Sequence, residues 1–461
     1  MPTHKLPDGP QTLPWLQTIQ WFANPSGYME ACAQRYGDMF TLRIGPVFTP
    51  QVFISNPQAI QEIFSTNPKQ LDSGEEAGFK SALLGQQSIL ALAGEPHRRR
   101  RKLLMPPFHG ERMRSYGQLI CDITEQVTQK WVMDEPISAL SSTQAISFRV
   151  ILKAVFGLED GSRYDKIQEL LTAALNPKRP LLYALMILFR SLQQDLGSWS
   201  PWGQFMDKVR QIDQLIYAEI QERREQPDPS RTDILSLMMA ARDESGEPMT
   251  DVELRDELLT LLFAGHETTA SSLAWGLYWI HSLPHVREKL LQELESLGSS
   301  PDLSAILRLP YLNAVCQETL RIYPVAMLGL NRVVKSPIEI MGYQFEPGTI
   351  LSPCIYLTHH REDLYPEPKQ FKPERFLERQ FTPYEYLPFG GGNRTCIGMA
   401  FAQFEMKLVL ATLLSRWHIE LAESEPVEPV RKGVLLAPSK GVRIVVKGRH
   451  TENQRVLQTS L

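Results

Sequence analysis

The residues best suited to chemistry lie in one short stretch near the C-terminus, PFGGGNRTCIG at positions 388–398. Its three consecutive glycines allow a backbone path, and a close approach to a flat partner, that a Cβ would obstruct. Cys396 follows them, and the sequence becomes strongly helical from Met399. The sulfur therefore lies near the free N–H groups and the positive end of a helix, and both stabilise a thiolate. A thiolate beside a glycine-lined shelf suits a ligand to haem iron, and Arg394 is then available for a haem propionate.

Two other interpretations of Cys396 compete with haem ligation. For any single cysteine in a glycine-rich turn, a buried structural role is the commoner one. A zinc site is disfavoured, because no second cysteine stands within a C-x2–4-C spacing. The full pattern F-x-x-G-x-R-x-C-x-G, from Phe389 to Gly398, favours haem over both.

With this pattern the sequence resembles the cytochrome P450 superfamily of haem-thiolate monooxygenases. The resemblance implies a mostly α fold with small β-sheets (α+β), a long central helix and a haem loop that carries the cysteine ligand. It implies heme b as the cofactor, with Cys396 as the axial thiolate and with Phe389 and Arg394 beside it. It extends over nearly the whole chain, so residues 1–461 are predicted to form a single domain, in which 1–95 include a small β-rich lobe and 96–461 are mainly helical and bind haem.

A second motif lies in the predicted central helix. Thr250 to Glu253 form a capping box, and no proline follows until Pro284, which predicts a helix over 251–282 of roughly 48 Å. Within it, in AGHETT at 264–269, Ala264 and Thr268 share a face, and the threonine can bond to the carbonyl four residues back.

The resemblance gives the two residues at the end of this motif catalytic roles. Thr268 would hydrogen-bond dioxygen, and Glu267 would relay protons from solvent. Seen alone, the pair would be an ordinary helical threonine and a solvated glutamate. His266 is predicted to point away from the iron.

Basic residues form a third group, after a helix start at Pro96. His97 and Arg101 are four residues apart and share a helix face; the resemblance implies that both, together with Arg332, reach the haem propionates. The remaining members of the run are Arg98, Arg99, Arg100 and Lys102. They form either a plain solvated face or a patch that docks an acidic electron donor.

Glu318 and Arg321 share a helix face three residues apart. On a surface such a pair contributes ~0.2–1 kcal/mol. The resemblance instead implies a buried network that Arg375 joins. Further predicted elements are a helix over 26–36 and strands at 39–44, 51–54, 338–345 and 349–351.

Composition limits the functional classes. A net charge of −4 is too small to argue for nucleic-acid binding, and five scattered cysteines fit a reducing cytosol. The N-terminus lacks an apolar run long enough for a signal peptide or transmembrane anchor. A cytoplasmic location is therefore predicted, with transient contact between the N-terminal apolar residues and a membrane surface left open.

The predicted activity is insertion of one oxygen atom from O2 into a C–H bond of a lipophilic small molecule such as a fatty acid, alkane or terpenoid. Because no flavin or nicotinamide fingerprint is attached, electrons would come from a ferredoxin or flavodoxin with an NAD(P)H-dependent reductase. The resemblance places uncharged residues at 325–328 and 435–436 against the substrate, and the apolar run at 181–189 in its entrance.

Two alternatives stay open at this point. One is a haem-thiolate enzyme that uses peroxide or rearranges a hydroperoxide, which the intact Glu267–Thr268 pair disfavours. The other is a haem-binding gas or redox sensor, which the lack of a visible output domain disfavours.

Overall fold

The computed structural model describes residues 6–45, 48–73, 84–108, 111–157, 161–175, 193–195, 197–228, 230–298, 302–433 and 435–450. Helices dominate this part of the chain, and short strands form small sheets, as the predicted α+β class requires. The apolar run at 181–189 lies outside the described residues.

Sixteen α-helices are present in the described residues. They are α1 (Pro14–Ala23), α2 (Pro25–Tyr36), α3 (Pro57–Ser65), α4 (Gly94–Leu104), α5 (Glu111–Thr128), α6 (Ala139–Phe156), α7 (Ser162–Leu175), α8 (Pro201–Glu225), α9 (Ile234–Ala240), α10 (Asp251–Ser282), α11 (Pro284–Glu295), α12 (Leu303–Leu307), α13 (Pro310–Ile322), α14 (Ile355–His359), α15 (Arg375–Glu378) and α16 (Met399–Arg416).

Twelve strands accompany them in the same described segments. They are β1 (Met39–Arg43), β2 (Pro50–Ile54), β3 (Leu71–Asp72), β4 (Pro136–Ser138), β5 (Arg332–Val334), β6 (Ile338–Ile340), β7 (Tyr343–Phe345), β8 (Ile350–Pro353), β9 (Trp417–Leu421), β10 (Pro429–Lys432), β11 (Leu435–Pro438) and β12 (Arg443–Arg449).

The largest sheet has the strand order β1-β2-β8-β5-β3. Its first two strands form an antiparallel hairpin in which Met39 faces Ile54, and β8 joins β2 in parallel from a distant part of the chain. The predicted strand at 338–345 is a second hairpin, β6 and β7, whose turn residues Met341 and Gly342 have φ of 49° and 79°. Two adjacent positive φ values are typical of the type I′ turn that tight hairpins favour.

The central helix α10 begins and ends where the sequence predicts, and its capping box is formed between Thr250 and Glu253. Most of its side chains are buried, and they lie on several faces of the helix, as expected for a helix that crosses the interior. It packs against α6, α13 and α16, so it places the 264–269 motif and the helix that follows Cys396 in one core. Among the described helices, none combines the length and apolar composition needed to cross a bilayer.

Candidate active site

The Cys396 loop requires glycine at three successive positions. Gly390 and Gly392 have φ of 67° and 64°, in the left-handed region that a Cβ disfavours. A Cβ on Gly391 would lie 2.1 Å from a ring atom of Phe64 on α3. These constraints explain the GGG run as a backbone that lies tightly against α3 and turns toward the cysteine.

The thiol of Cys396 lies just before α16. The cysteine amide donates to the Phe389 carbonyl at 3.0 Å, which closes the loop. The cysteine has accessible surface although protein atoms surround it, as expected for the wall of an interior space.

The pKa of the Cys396 thiol is set by opposing effects. Burial raises it above its usual value, whereas a hydrogen bond from the Gly398 backbone and the positive charge of Arg101 lower it. The stabilisation expected from the helix start is therefore present but weaker than the effect of burial.

Four basic side chains predicted to reach the propionates converge in the structure. His97 is 4% exposed. Burial and the positive charges of Arg394, Arg101 and Arg332 lower its pKa to about 3, so the imidazole is neutral at physiological pH. Three guanidinium groups thus surround one neutral histidine in the interior.

Backbone carbonyls fix each of these guanidinium groups. Arg101 donates to the Thr395 carbonyl at 2.6 Å, next to Cys396. Arg332 donates to the carbonyls of Leu330 at 2.8 Å and Gly391 at 3.3 Å. Arg394 donates to the carbonyls of Ile89 at 3.1 Å and Leu92 at 2.6 Å.

This cluster fits the group that the sequence implies. Concentrated positive charge in a buried place favours anionic oxygens, and arginine is the residue best suited to carboxylates. A flat cofactor with two carboxylates at one edge would find glycines and a thiol on the Cys396 loop and three arginines beside it. The residues present therefore fit haem.

The motif of the central helix has the geometry expected from its spacing. The hydroxyl of Thr268 donates to the Ala264 carbonyl at 2.6 Å. Ala264 is exposed, whereas Leu262 and His266 on either side are buried. An accessible face in the middle of a core helix indicates that Ala264 lines an interior space.

Glu267 of α10 is bound by a side chain of the neighbouring helix, α6. The amide of Gln144 donates to both of its carboxylate oxygens at 3.0 Å. His266 packs edge-on against Phe148 of α6, with ring centroids 5.0 Å apart, so its ring faces α6. That it points away from the iron stays a prediction. Sequence reasoning missed Gln144, because a glutamine inside an ordinary helix carries no signal of its partner.

The scaffold network is buried, as the resemblance implied. Arg321 donates to Glu318 through Nε at 2.6 Å and Nη2 at 2.8 Å, and both side chains are fully buried. Arg375 joins with its Nε 3.5 Å from the same carboxylate. The surface-pair alternative for Glu318 and Arg321 is therefore wrong.

The basic run after His97 does not form an exposed patch of free charge. The side chain of Arg100 is only 2% exposed, between Glu253 and Glu257. The other three also have acidic partners: Arg98 with Glu95, Arg99 with Asp243 and Glu253, and Lys102 with Glu244. The prediction that all four side chains face solvent is wrong for Arg100, whereas Arg98 and Lys102 are 62% and 54% exposed. Docking of an electron donor on this run stays a prediction.

Comparison with known proteins decides the family. The family model described as Cytochrome P450 matches residues 7–446. The chain belongs to the cytochrome P450 family. A P450 of this family is a haem-thiolate monooxygenase that contains iron, so the chemistry that the site fits is the chemistry of the family.

Similar proteins span nearly the same length as this P450. The Mycobacterium bovis protein named "Putative cytochrome P450 135B1" is 34% identical over 445 residues, covering 96% of this chain and 91% of its own. "Putative cytochrome P450 135A1" of Mycobacterium tuberculosis is 32% identical over 444 residues, covering 96% and 95%.

Solved structures share the fold. A cyanobacterial P450 with retinoic acid bound, CYP120A1, has a TM-score of 0.82 at 27% identity, covering 96% of this chain and 100% of its own. The cytochrome P450DA heme domain also has a TM-score of 0.82, at 21% identity, covering 98% and 99%. The predicted fold class, the cofactor class and the enzyme class are confirmed.

Proposed function

We propose that this P450 hydroxylates a lipophilic small molecule, with Cys396 as the axial ligand of heme b. The observation that carries the proposal is the arrangement around the thiol. An accessible sulfur in the protein interior lies beside a glycine-shaped loop, and three arginines with a neutral histidine stand next to it.

Particular residues would hold the cofactor. Arg101, Arg332 and Arg394 would bind the propionates as charge-assisted hydrogen-bond donors, and neutral His97 would add a further donor. Phe389 closes the loop that carries the sulfur. Haem bound there would supply the reductive activation of dioxygen and the insertion of one oxygen atom into a C–H bond.

Thr268 and Glu267 would handle the protons that this chemistry consumes. The Thr268 hydroxyl proton is directed at the Ala264 carbonyl, so its oxygen is left as an acceptor facing the accessible side of α10. The Glu267 side chain is 23% exposed, and Gln144 holds it toward α6. Glu267 therefore has to release the Gln144 amide before it passes a proton toward Thr268.

Uncharged residues would receive the substrate. The segments at 325–328 and 435–436 meet in the structure, because Ala326 bridges Leu435 and the Leu436 amide donates to the Val325 carbonyl at 2.8 Å. Apolar walls of this kind favour an apolar ligand. The retinoic acid in the similar cyanobacterial structure is consistent with a fatty acid or terpenoid.

Electrons would come from a ferredoxin or flavodoxin with an NAD(P)H-dependent reductase, in the cytoplasm. All five cysteines are free, which fits a reducing compartment. Since the exposed Arg98 and Lys102 on α4 are each paired with an acid of the same chain, we expect the donor to recognise a different surface.

Turnover under two conditions tests the proposal. The enzyme is incubated with candidate fatty acids and terpenoids, once with NADPH, ferredoxin and reductase, and once with peroxide alone. We expect hydroxylated product with the electron-transfer proteins and little with peroxide. Product with peroxide alone would replace the proposal with a peroxide-dependent enzyme, and no product in either condition would favour a haem sensor.

A further inference from the structure

The segment that precedes α4 is bonded to the N-terminal half of the central helix. Successive polar groups of the segment each meet a side chain of α10. The contacts are the Gln87 amide to Asp256 Oδ2 at 2.8 Å, the Ser88 hydroxyl with the Thr260 hydroxyl at 2.7 Å, and the Ile89 amide to Glu257 Oε1 at 2.7 Å. We call residues 85–92 the tether segment.

The close approach of the tether segment to α10 is built into its sequence. Gly85 has φ of 82°, and a Cβ there would lie 2.0 Å from the Asp256 carboxylate. Only glycine permits both the conformation and the distance.

Arg100 completes the buried connection. Its Nη1 donates to the Gln87 carbonyl at 2.6 Å and to Glu257 Oε1 at 2.9 Å. The side chain of Glu257 is 0% exposed. The arginine that was predicted to face solvent therefore joins α4, the tether segment and α10.

The opposite side of the tether segment holds an arginine of the cofactor cluster. Arg394 donates through Nη1 to the Ile89 carbonyl at 3.1 Å and through Nη2 to the Leu92 carbonyl at 2.6 Å. Ile89 is thus bound on both sides, since its N–H donates to Glu257 and its C=O accepts from Arg394. The orientation of Arg394 depends on carbonyls whose position Glu257 and Thr260 fix.

We propose that Glu257 is a positioning residue for haem: through the backbone of Ile89 it holds Arg394 in the orientation that binds a propionate. The inference rests on the proposed function, because it takes Arg394 to be a propionate ligand. The competing explanation is that Glu257 only neutralises Arg100 and stabilises the fold. The two explanations differ in whether the effect of Glu257 on haem passes through Arg394.

Haem loss separates the explanations. The rate is measured as transfer of haem from the ferric protein to excess apomyoglobin, with urea unfolding of each variant measured in parallel. Glu257→Gln keeps the shape of the side chain but is a weaker acceptor for the Ile89 amide and Arg100, and should speed haem loss about tenfold. Thr260→Val removes the Ser88 contact and the bond of the Thr260 hydroxyl to the Asp256 carbonyl of the same helix, and should speed haem loss by a smaller factor.

The matched control is a buried ion pair elsewhere in the chain. Arg223 donates to Glu219 within α8 at 2.8 Å, and the two side chains are 6% and 4% exposed, close to the 2% and 0% of Arg100 and Glu257. Glu219→Gln should lower the urea midpoint and leave haem loss at the wild-type rate.

A double-mutant cycle with Arg394→Gln gives the decisive readout, because residues that act through one another are non-additive. When Glu257→Gln and Arg394→Gln are combined, the increase in the rate of haem loss should be smaller than the two single effects together. When Glu219→Gln and Arg394→Gln are combined, the two effects should be additive. Wild-type haem loss in both Glu257→Gln and Thr260→Val, or additive effects in the first cycle, would overturn the inference. Wild-type haem loss in Arg394→Gln alone would instead overturn the propionate role in the proposed function.

Discussion

Replacing Glu318 by alanine tests whether the buried scaffold network holds the fold. The carboxylate accepts two hydrogen bonds from Arg321, at 2.6 and 2.8 Å, and one from the Lys372 amide at 2.8 Å. The alanine variant would leave the guanidinium of Arg321 buried without its counter-charge. Breaking one partner of a buried pair costs ~3–5 kcal/mol, which lowers the folded-to-unfolded ratio by roughly two to three and a half orders of magnitude.

The assay is urea unfolding followed by tryptophan fluorescence, together with the yield of haem-loaded protein. Glu374→Ala is the matched control, since Glu374 pairs with Lys289 at 2.7 Å on the surface, with side chains 32% and 52% exposed. That variant should lose only ~0.2–1 kcal/mol. Equal urea midpoints for the two variants, or full haem loading of Glu318→Ala, would refute the reasoning.

Three further outcomes follow from the site and its surroundings. Thr268→Ala should bind substrate normally but divert NADPH into peroxide; unchanged product per NADPH would remove Thr268 from proton delivery. His359 accepts the Leu387 amide at 2.9 Å through Nε2, and burial with the charge of Arg321 holds its pKa well below the usual value. The unfolded chain therefore binds this proton at a higher pH than the folded chain, so the free energy of unfolding should fall as pH drops below ~6.5. His359→Gln should make that fall less steep. An equally steep fall in the variant would contradict the assignment. Arg98→Ala combined with Lys102→Ala should leave the rate of reduction by ferredoxin and its salt dependence unchanged, since each charge is already paired. A large loss of rate at low salt would show that these residues do dock the electron donor.

Local spacing made the central helix and the Cys396 loop predictable from the sequence. A capping box at Thr250 and an uninterrupted helical run fix the bounds of α10, and the GGG run requires a special backbone path whatever surrounds it. The four-residue spacing of His97 and Arg101 puts both on one face of α4.

The contacts between distant segments were not predictable. Gln144 meets Glu267 across 123 positions of sequence, and Arg100 meets Glu257 across 157. Nothing in a run of four arginines says which one points inward, because that depends on acids supplied by another helix. For the same reason the prediction that Arg100 faces solvent was wrong.

The reduced carbon-monoxide difference spectrum of Cys396→Ser tests the central claim most directly. Cys316→Ser is the matched control, because Cys316 is a free cysteine on α13 that is buried in the protein core. If Cys396 is the axial thiolate, the wild type and Cys316→Ser should show the red-shifted Soret band of a haem-thiolate protein, and Cys396→Ser should lose it. A normal band from Cys396→Ser, or its loss from Cys316→Ser alone, would contradict the assignment of the site.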